Sequence, residues 1–184
     1  AFIITCALAL ISWLLVIFFD QQLLTLFGAE ETLLPLALDY LRPLKFVLPV
    51  FIFNQMLAAF LRNDNNPGLA TVAVLTTGIL NAVGDVFFVF TLDMGIMGAG
   101  LATAIGSAGS LLIMLTHFKS KKNTLKLVRP KGFLLKTRRI VVTGFPTFFI
   151  DIAMGILTML FNRQILRYAG TDALSVYGII VNIS

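Results

Sequence analysis

Residues 69–92 read LATVAVLTTGILNAVGDVFFVFTL, a run of 24 in which Asp85 alone is ionisable. About 20 helical residues cross the roughly 30 Å hydrocarbon core of a bilayer, and a helix satisfies its own backbone N–H and C=O groups there. The run reads as a transmembrane helix. Working outward, four more runs have the same character: Phe2 to Phe19, Pro43 to Leu61, Met94 to Phe118 and Ile140 to Phe161. A sixth begins near Ala173. Composition agrees, with 58% hydrophobic and 12% charged residues, against about 25% charged in an ordinary soluble domain. The 14 Gly and 6 Pro suit membrane helices, where close packing and bends are tolerated. The expected fold class is all-α, a polytopic transmembrane helical bundle. The first run starts at Ala1 with no initiator Met and no basic stretch, so it reads as the interior of a longer protein and not as a signal peptide.

Charge orients the spans. Residues 118–139 carry nine basic residues (Lys119, Lys121, Lys122, Lys126, Arg129, Lys131, Lys136, Arg138, Arg139) and no acid, and Lys and Arg concentrate in cytoplasmic loops. Residues 20–41 carry Asp20, Glu30, Glu31 and Asp39 with no Lys or Arg, which places them outside. The turn from Arg62 to Gly68 then lies inside, and five spans alternate from a cytoplasmic start. Arg163 and Arg167 fall on the outer side in this scheme and are accommodated by snorkelling. The basic loop reads either as a topology determinant or as a binder of anionic lipid. Nucleic acid is excluded as a partner, because base stacking needs aromatics beside the basic groups and only Phe133 lies between the loop's ends. The single cysteine, Cys6, permits no intrachain disulfide, and no Cys/His metal spacing exists. The expected organisation is 1–118 as part of a first helical bundle with four spans, 119–139 as a basic cytoplasmic linker, and 140–184 as the start of a second bundle. The expected location is the cell (plasma) membrane, multi-pass, with lipid as one partner.

An ionisable group at membrane depth costs on the order of 2.5–3.5 kcal/mol on insertion scales, so each is a functional candidate. Asn81 and Asp85 are four residues apart and share one helix face. They offer a carbonyl oxygen and a carboxylate to a small cation or a proton; the structural alternative is a polar knot between helices. Asp151, among Phe148, Phe149 and Ile152, suits a proton carrier or a helix-packing carboxylate. Thr147, Phe148, Met154 and Gly155 mark its face. Asn54, Gln55 and Met56, together with Phe148, are candidates for a substrate cavity, and for the amides interhelical hydrogen bonding is the commoner use. Lys45 is expected to snorkel to the outer surface. His117, at a span end, has no evident partner in sequence and is expected to be interfacial. The stretch Met94-Gly95-Ile96-Met97-Gly98-Ala99-Gly100 opens a span and lacks the lysine of a phosphate loop, so it reads as a close-packing surface.

Several of these residues also occur together in a known order. Arg62-Asn63-Asp64-Asn65-Asn66-Pro67 with Leu69-Ala70, Leu80-Asn81 with Asp85 and Phe87-Phe88, and Met94-Gly95-Ile96 with Gly98-Ala99 and Ala102-Thr103 resemble the multidrug and toxic compound extrusion (MATE) family. Leu26-Phe27-Gly28-Ala29, Tyr40-Leu41 and Gly144-Phe145-Pro146 resemble it as well. The resemblance implies twelve helices in two six-helix bundles, with this chain running from about the third helix to the eighth and joined to the remainder of the same polypeptide. It implies that Asn81 and Asp85 belong to a cation site in the first bundle, with Asp151 matching an acidic position in one bacterial branch. It further implies a secondary antiporter exporting small amphipathic organic cations in exchange for H+ or Na+, with no cofactor. The alternative is a flippase of lipid-linked saccharides from a related fold group, which a basic cavity would favour; here the deep ionisable groups are acids. No His-Glu-x-x-His or Gly-x-Ser-x-Gly set points to an enzyme.

Overall fold

The computed structural model describes residues 1–29, 31–126, 128 and 132–183. Glu30, Arg129 and Lys131, which enter the charge argument, lie outside the described residues. The described residues form five long helices and no strand. These are α1 (Phe2–Leu26), α2 (Leu34–Asn63), α3 (Pro67–Asp85), α4 (Gly95–Leu115) and α5 (Phe133–Ile183). Among the described residues, five helices are long and apolar enough to cross a membrane. The expected all-α, polytopic class is what the chain adopts.

Local chemistry sets most of the boundaries. Pro35 and Pro67 sit in the first turns of α2 and α3, where a missing N–H costs no helical bond. The turn between these helices closes at Asn65, which has a φ of 55°. That is the left-handed region, which Asn tolerates better than most residues. Pro43, Pro49 and Pro146 lie inside helices, as membrane helices allow. α5 begins at Phe133, seven residues before the apolar run that starts at Ile140, so Lys136, Arg138 and Arg139 are helical. Its ladder is interrupted at Gly170, with φ 78°, and the stretch containing the expected sixth span continues from there.

The chain divides into two compact units, one of Ala1–Leu24 with Ala29–Pro130 and one of Thr25–Gly28 with Lys131–Ser184. In the first, α2, α3 and α4 pack on one another. The buried residues of α4 are Gly98, Gly100, Ala102, Ala104, Gly106, Ser107, Ser110 and Met114. Small residues bring backbones close where lipid supplies no hydrophobic force between helices. A Cβ on Gly106 would stand 2.8 Å from the Thr77 carbonyl oxygen, and one on Gly100 would collide with that of Tyr40. The Gly-rich opening of α4 is thus a close-packing surface, as read from the sequence. An apolar cluster of Leu57, Ala58, Leu61, Ala70, Ala73 and Met114 closes the end of the bundle beside the α2–α3 turn. Outward, α3 exposes Val72, Leu75, Ile79 and Val83 at helical spacing. An apolar stripe of that kind belongs against lipid or further protein and not against water. α1 meets α2 through Phe2 and Phe53, with ring centroids 6.0 Å apart.

Candidate functional site

Asp85 ends the α-helical part of α3, and Val86–Thr91 continues as a π-helical turn. π segments are rare and concentrate at functional sites. The wider turn sits directly beyond the acid that interrupts the third apolar run. Asp85 Oδ1 is buried and has no hydrogen-bond partner among the described residues. A buried carboxylate oxygen without a donor is costly, and binding a cation or a proton would relieve it.

Asn81, one turn earlier, is joined to α4. Its Nδ2 donates to Thr103 Oγ1 at 2.8 Å, and the Tyr40 hydroxyl of α2 lies 3.3 Å from the same oxygen. Thr103 Oγ1 donates its own proton to the Ala99 carbonyl at 3.0 Å, so towards Tyr40 and Asn81 it acts as acceptor. Three helices therefore meet at one hydroxyl, which orients the Asn81 side chain one turn from Asp85. In the sequence Tyr40 and Thr103 stand out only as parts of the family resemblance. Their one local signal is a polar side chain inside an apolar run, which many residues share.

Asn54 lies deeper in the same unit. Its Nδ2 donates to the Ser107 carbonyl at 2.9 Å, while its Oδ1 is buried without a partner among the described residues. Gln55 is exposed, and Met56 packs against the apolar cluster. Asp151 and Phe148 belong to the second unit and are exposed on α5, so the immediate apolar neighbours of Asp151 do not bury it.

The structure gives partners to two residues read as lying at span ends. The Lys45 ammonium pairs with the Asp20 carboxylate of α1, because the helices bring together charges 25 residues apart. His117, expected without an evident partner, has two. It is fully buried, with Nε2 2.6 Å from Asp64 Oδ2 and Nδ1 3.0 Å from Asn66 Nδ2. Both partners lie more than 50 residues away, beyond the reach of a local reading.

Residues 1–87 match the MatE family model. The chain is 30% identical over 176 residues to the multidrug export protein MepA of Staphylococcus saprophyticus, covering 94% of this chain and 38% of that protein. It is 29% identical over 177 residues to MepA of Staphylococcus aureus, covering 94% of this chain and 39% of that one. Among solved structures, an inward-facing multidrug resistance MATE family transporter of the MOP superfamily superposes with a TM-score of 0.83 at 23% identity, over 95% of this chain and 40% of its own. A MATE protein in a bent conformation superposes with a TM-score of 0.75 at 23% identity, over 96% of this chain and 40% of its own. This chain thus spans about two-fifths of the length of the relatives it matches, as half of a two-bundle architecture would. The chain is thus similar over its first 87 residues, just past Asp85, to the MatE (multidrug and toxic compound extrusion) family, and along most of its length to multidrug export proteins named MepA, with the helical fold of solved MATE proteins.

Proposed function

We propose that this chain supplies the ion-coupling part of a secondary antiporter that exports amphipathic organic cations across the plasma membrane in exchange for H+ or Na+. The observation that carries this reading is the buried, unpartnered Asp85 Oδ1 beside the Asn81–Thr103–Tyr40 node. Ion binding at Asp85 changes the charge at the end of α3 and biases rocking of the two bundles, so that substrate leaves as the ion enters. Asn81 stands ready as a second oxygen ligand or as the carboxyl's hydrogen-bonding neighbour. The MepA relatives are multidrug export proteins by name, in keeping with transport and not with an enzyme.

The remaining assignments extend the same reading. Residues 1–118 form part of the first bundle, 119–139 is the cytoplasmic linker, and 140–184 opens the second bundle, in which Asp151 provides a second acid for proton or substrate and Phe148 lines its face. Asn54, with its unpaired carbonyl oxygen, contacts substrate, with Gln55 and Met56 as its neighbours on α2. Acids at membrane depth oppose an anionic head-group and favour a cationic substrate. The test is export by the full-length protein in proteoliposomes under H+ and Na+ gradients varied separately. Asp85→Asn keeps the shape and removes the charge, so it should abolish ion-driven export with insertion intact. A well-folded Asp85→Asn protein exporting at the wild-type rate would make the residue structural.

A further inference from the structure

The residues around His117 lie at the end of the first unit where the α2–α3 turn, the last turn of α4 and the start of the basic linker meet. Asp64 is 5% exposed and His117 is 0% exposed, so both polar groups depend on protein partners. The Asp64 carboxylate has them on both oxygens. Oδ2 accepts from His117 Nε2 at 2.6 Å and from the Thr124 backbone N–H at 3.0 Å, and Oδ1 accepts the Thr124 hydroxyl. Asn66 Nδ2 donates to His117 Nδ1 at 3.0 Å, which leaves Nε2 as the protonated ring nitrogen in the neutral imidazole. Hydrogen bonds from Thr124, and next from His117, hold the Asp64 carboxyl down to about 2 from its ordinary 3.8.

The elements that carry these groups are themselves held. The Asp64 and Asn66 backbone N–H groups donate back to Phe60 and Leu61 carbonyls at 2.8 and 3.0 Å, locking the turn. On the linker side, Ser120 N–H donates to the His117 carbonyl at 2.9 Å and Asn123 N–H to the Ser120 carbonyl at 3.1 Å. Leu125 N–H donates to Asn123 Oδ1 at 3.0 Å. The basic segment therefore begins as a folded turn seated on Asp64 and not as a solvated tether. The Asn81–Thr103 node shares no residue with this arrangement.

We propose that Asp64, His117 and Thr124 form an anchor that fixes the start of the linker to the first bundle, so that movement of the second bundle is transmitted to the α2–α3 turn and the end of α4 instead of being absorbed by the linker. This rests on the two-bundle antiporter reading. A carboxylate suits the task because hydrogen bonds to an ionised group are about twice as strong as neutral ones. Burial beside the His117 ring keeps water from competing for it.

The experiment uses the full-length protein and two readouts. Amide hydrogen exchange over residues 119–126 reports the anchor directly, and ion-driven export from proteoliposomes reports its use. Asp64→Asn removes the charge; Thr124→Val keeps the volume, removes one donor and is the milder change should Asp64→Asn fold poorly. Exchange should rise roughly tenfold or more in Asp64→Asn and several-fold in Thr124→Val, as the loss of charged hydrogen bonds implies. Export should slow in step. Joining Asn63→Cys to Lys122→Cys with a bismaleimide, in a Cys6→Ser and Asp64→Asn background, should restore export, because a covalent tie replaces the anchor without restoring a carboxylate. Unchanged exchange in both variants would overturn the proposal. Freed exchange with wild-type export, or a cross-linked variant that stays slow, would overturn it equally. Exchange is read without transport, so a wild type that exports nothing under either gradient would sink the antiporter reading separately.

Discussion

Replacing Thr103 by Val tests whether the node on α4 organises the site at the end of α3. The change keeps the branched shape and removes the one oxygen that accepts from Asn81 at 2.8 Å and from Tyr40 at 3.3 Å. Ala99 loses only a side-chain donor, since its carbonyl retains the helical N–H four residues on. An interhelical hydrogen bond in a membrane is worth about 0.6 kcal/mol on average and at most ~1.7, so losing two should destabilise the bundle by about 1–3 kcal/mol, with the shorter Asn81 bond the larger part. If that energy is spent in aiming Asn81 toward the ion at Asp85, apparent ion affinity falls roughly five- to a hundredfold, at ~1.4 kcal/mol per factor of ten. The assay is export by the full-length protein in proteoliposomes as a function of coupling-ion concentration, with thermal unfolding in detergent alongside. Thr103→Ser restores the acceptor and should recover most of both. A Thr103→Val protein with wild-type ion dependence would refute the reasoning, because Asn81 would then be oriented without the hydroxyl.

Asp151→Asn should weaken export of cationic drugs more than of neutral ones, as charge is lost while shape is kept; parallel export assays with one substrate of each kind decide it, and equal loss would assign Asp151 to coupling or structure. A cysteine at the exposed Lys122, in a Cys6-free background, should react with a membrane-impermeant maleimide in inside-out vesicles and resist it in intact cells; ready labelling of cells would invert the topology. Because the Asp64 carboxyl is lowered from 3.8 to about 2, its stabilising contribution is fully present above about pH 4 and disappears as pH falls through about 2. The difference in calorimetric Tm between wild type and Asp64→Asn should therefore stay flat from pH 8 to 4 and shrink below that; a difference that already shrinks between pH 7 and 5 would refute the Asp64 carboxylate as the titrating group.

The spans were legible because hydropathy is a sum over contiguous residues: 69–92 and its four companion runs need no distant partner to declare themselves, and a helix closes its own backbone bonds. Asn81 and Asp85 stood out for the same reason, as polar groups where an isolated helix would pay for them, and the small residues of α4 announced close packing without saying against what. What the small residues met, the Thr77 and Tyr40 carbonyls, depended on how α2, α3 and α4 cross. Thr103 gained its role only when Tyr40, 63 residues earlier, and Asn81, 22 residues earlier, converged on it. The π-helical turn after Asp85 has no periodic signature, since its hydrogen bonds shift by one residue without changing the apolar pattern. The partners of Lys45 and His117 were missed for one shared reason: a charge at a span end is cheap to expose, so a local reading leaves it unpaired at the interface. The fold instead brought Asp20 to Lys45 and Asp64 to His117, and which charges become neighbours is a property of helix packing that no single stretch of chain contains.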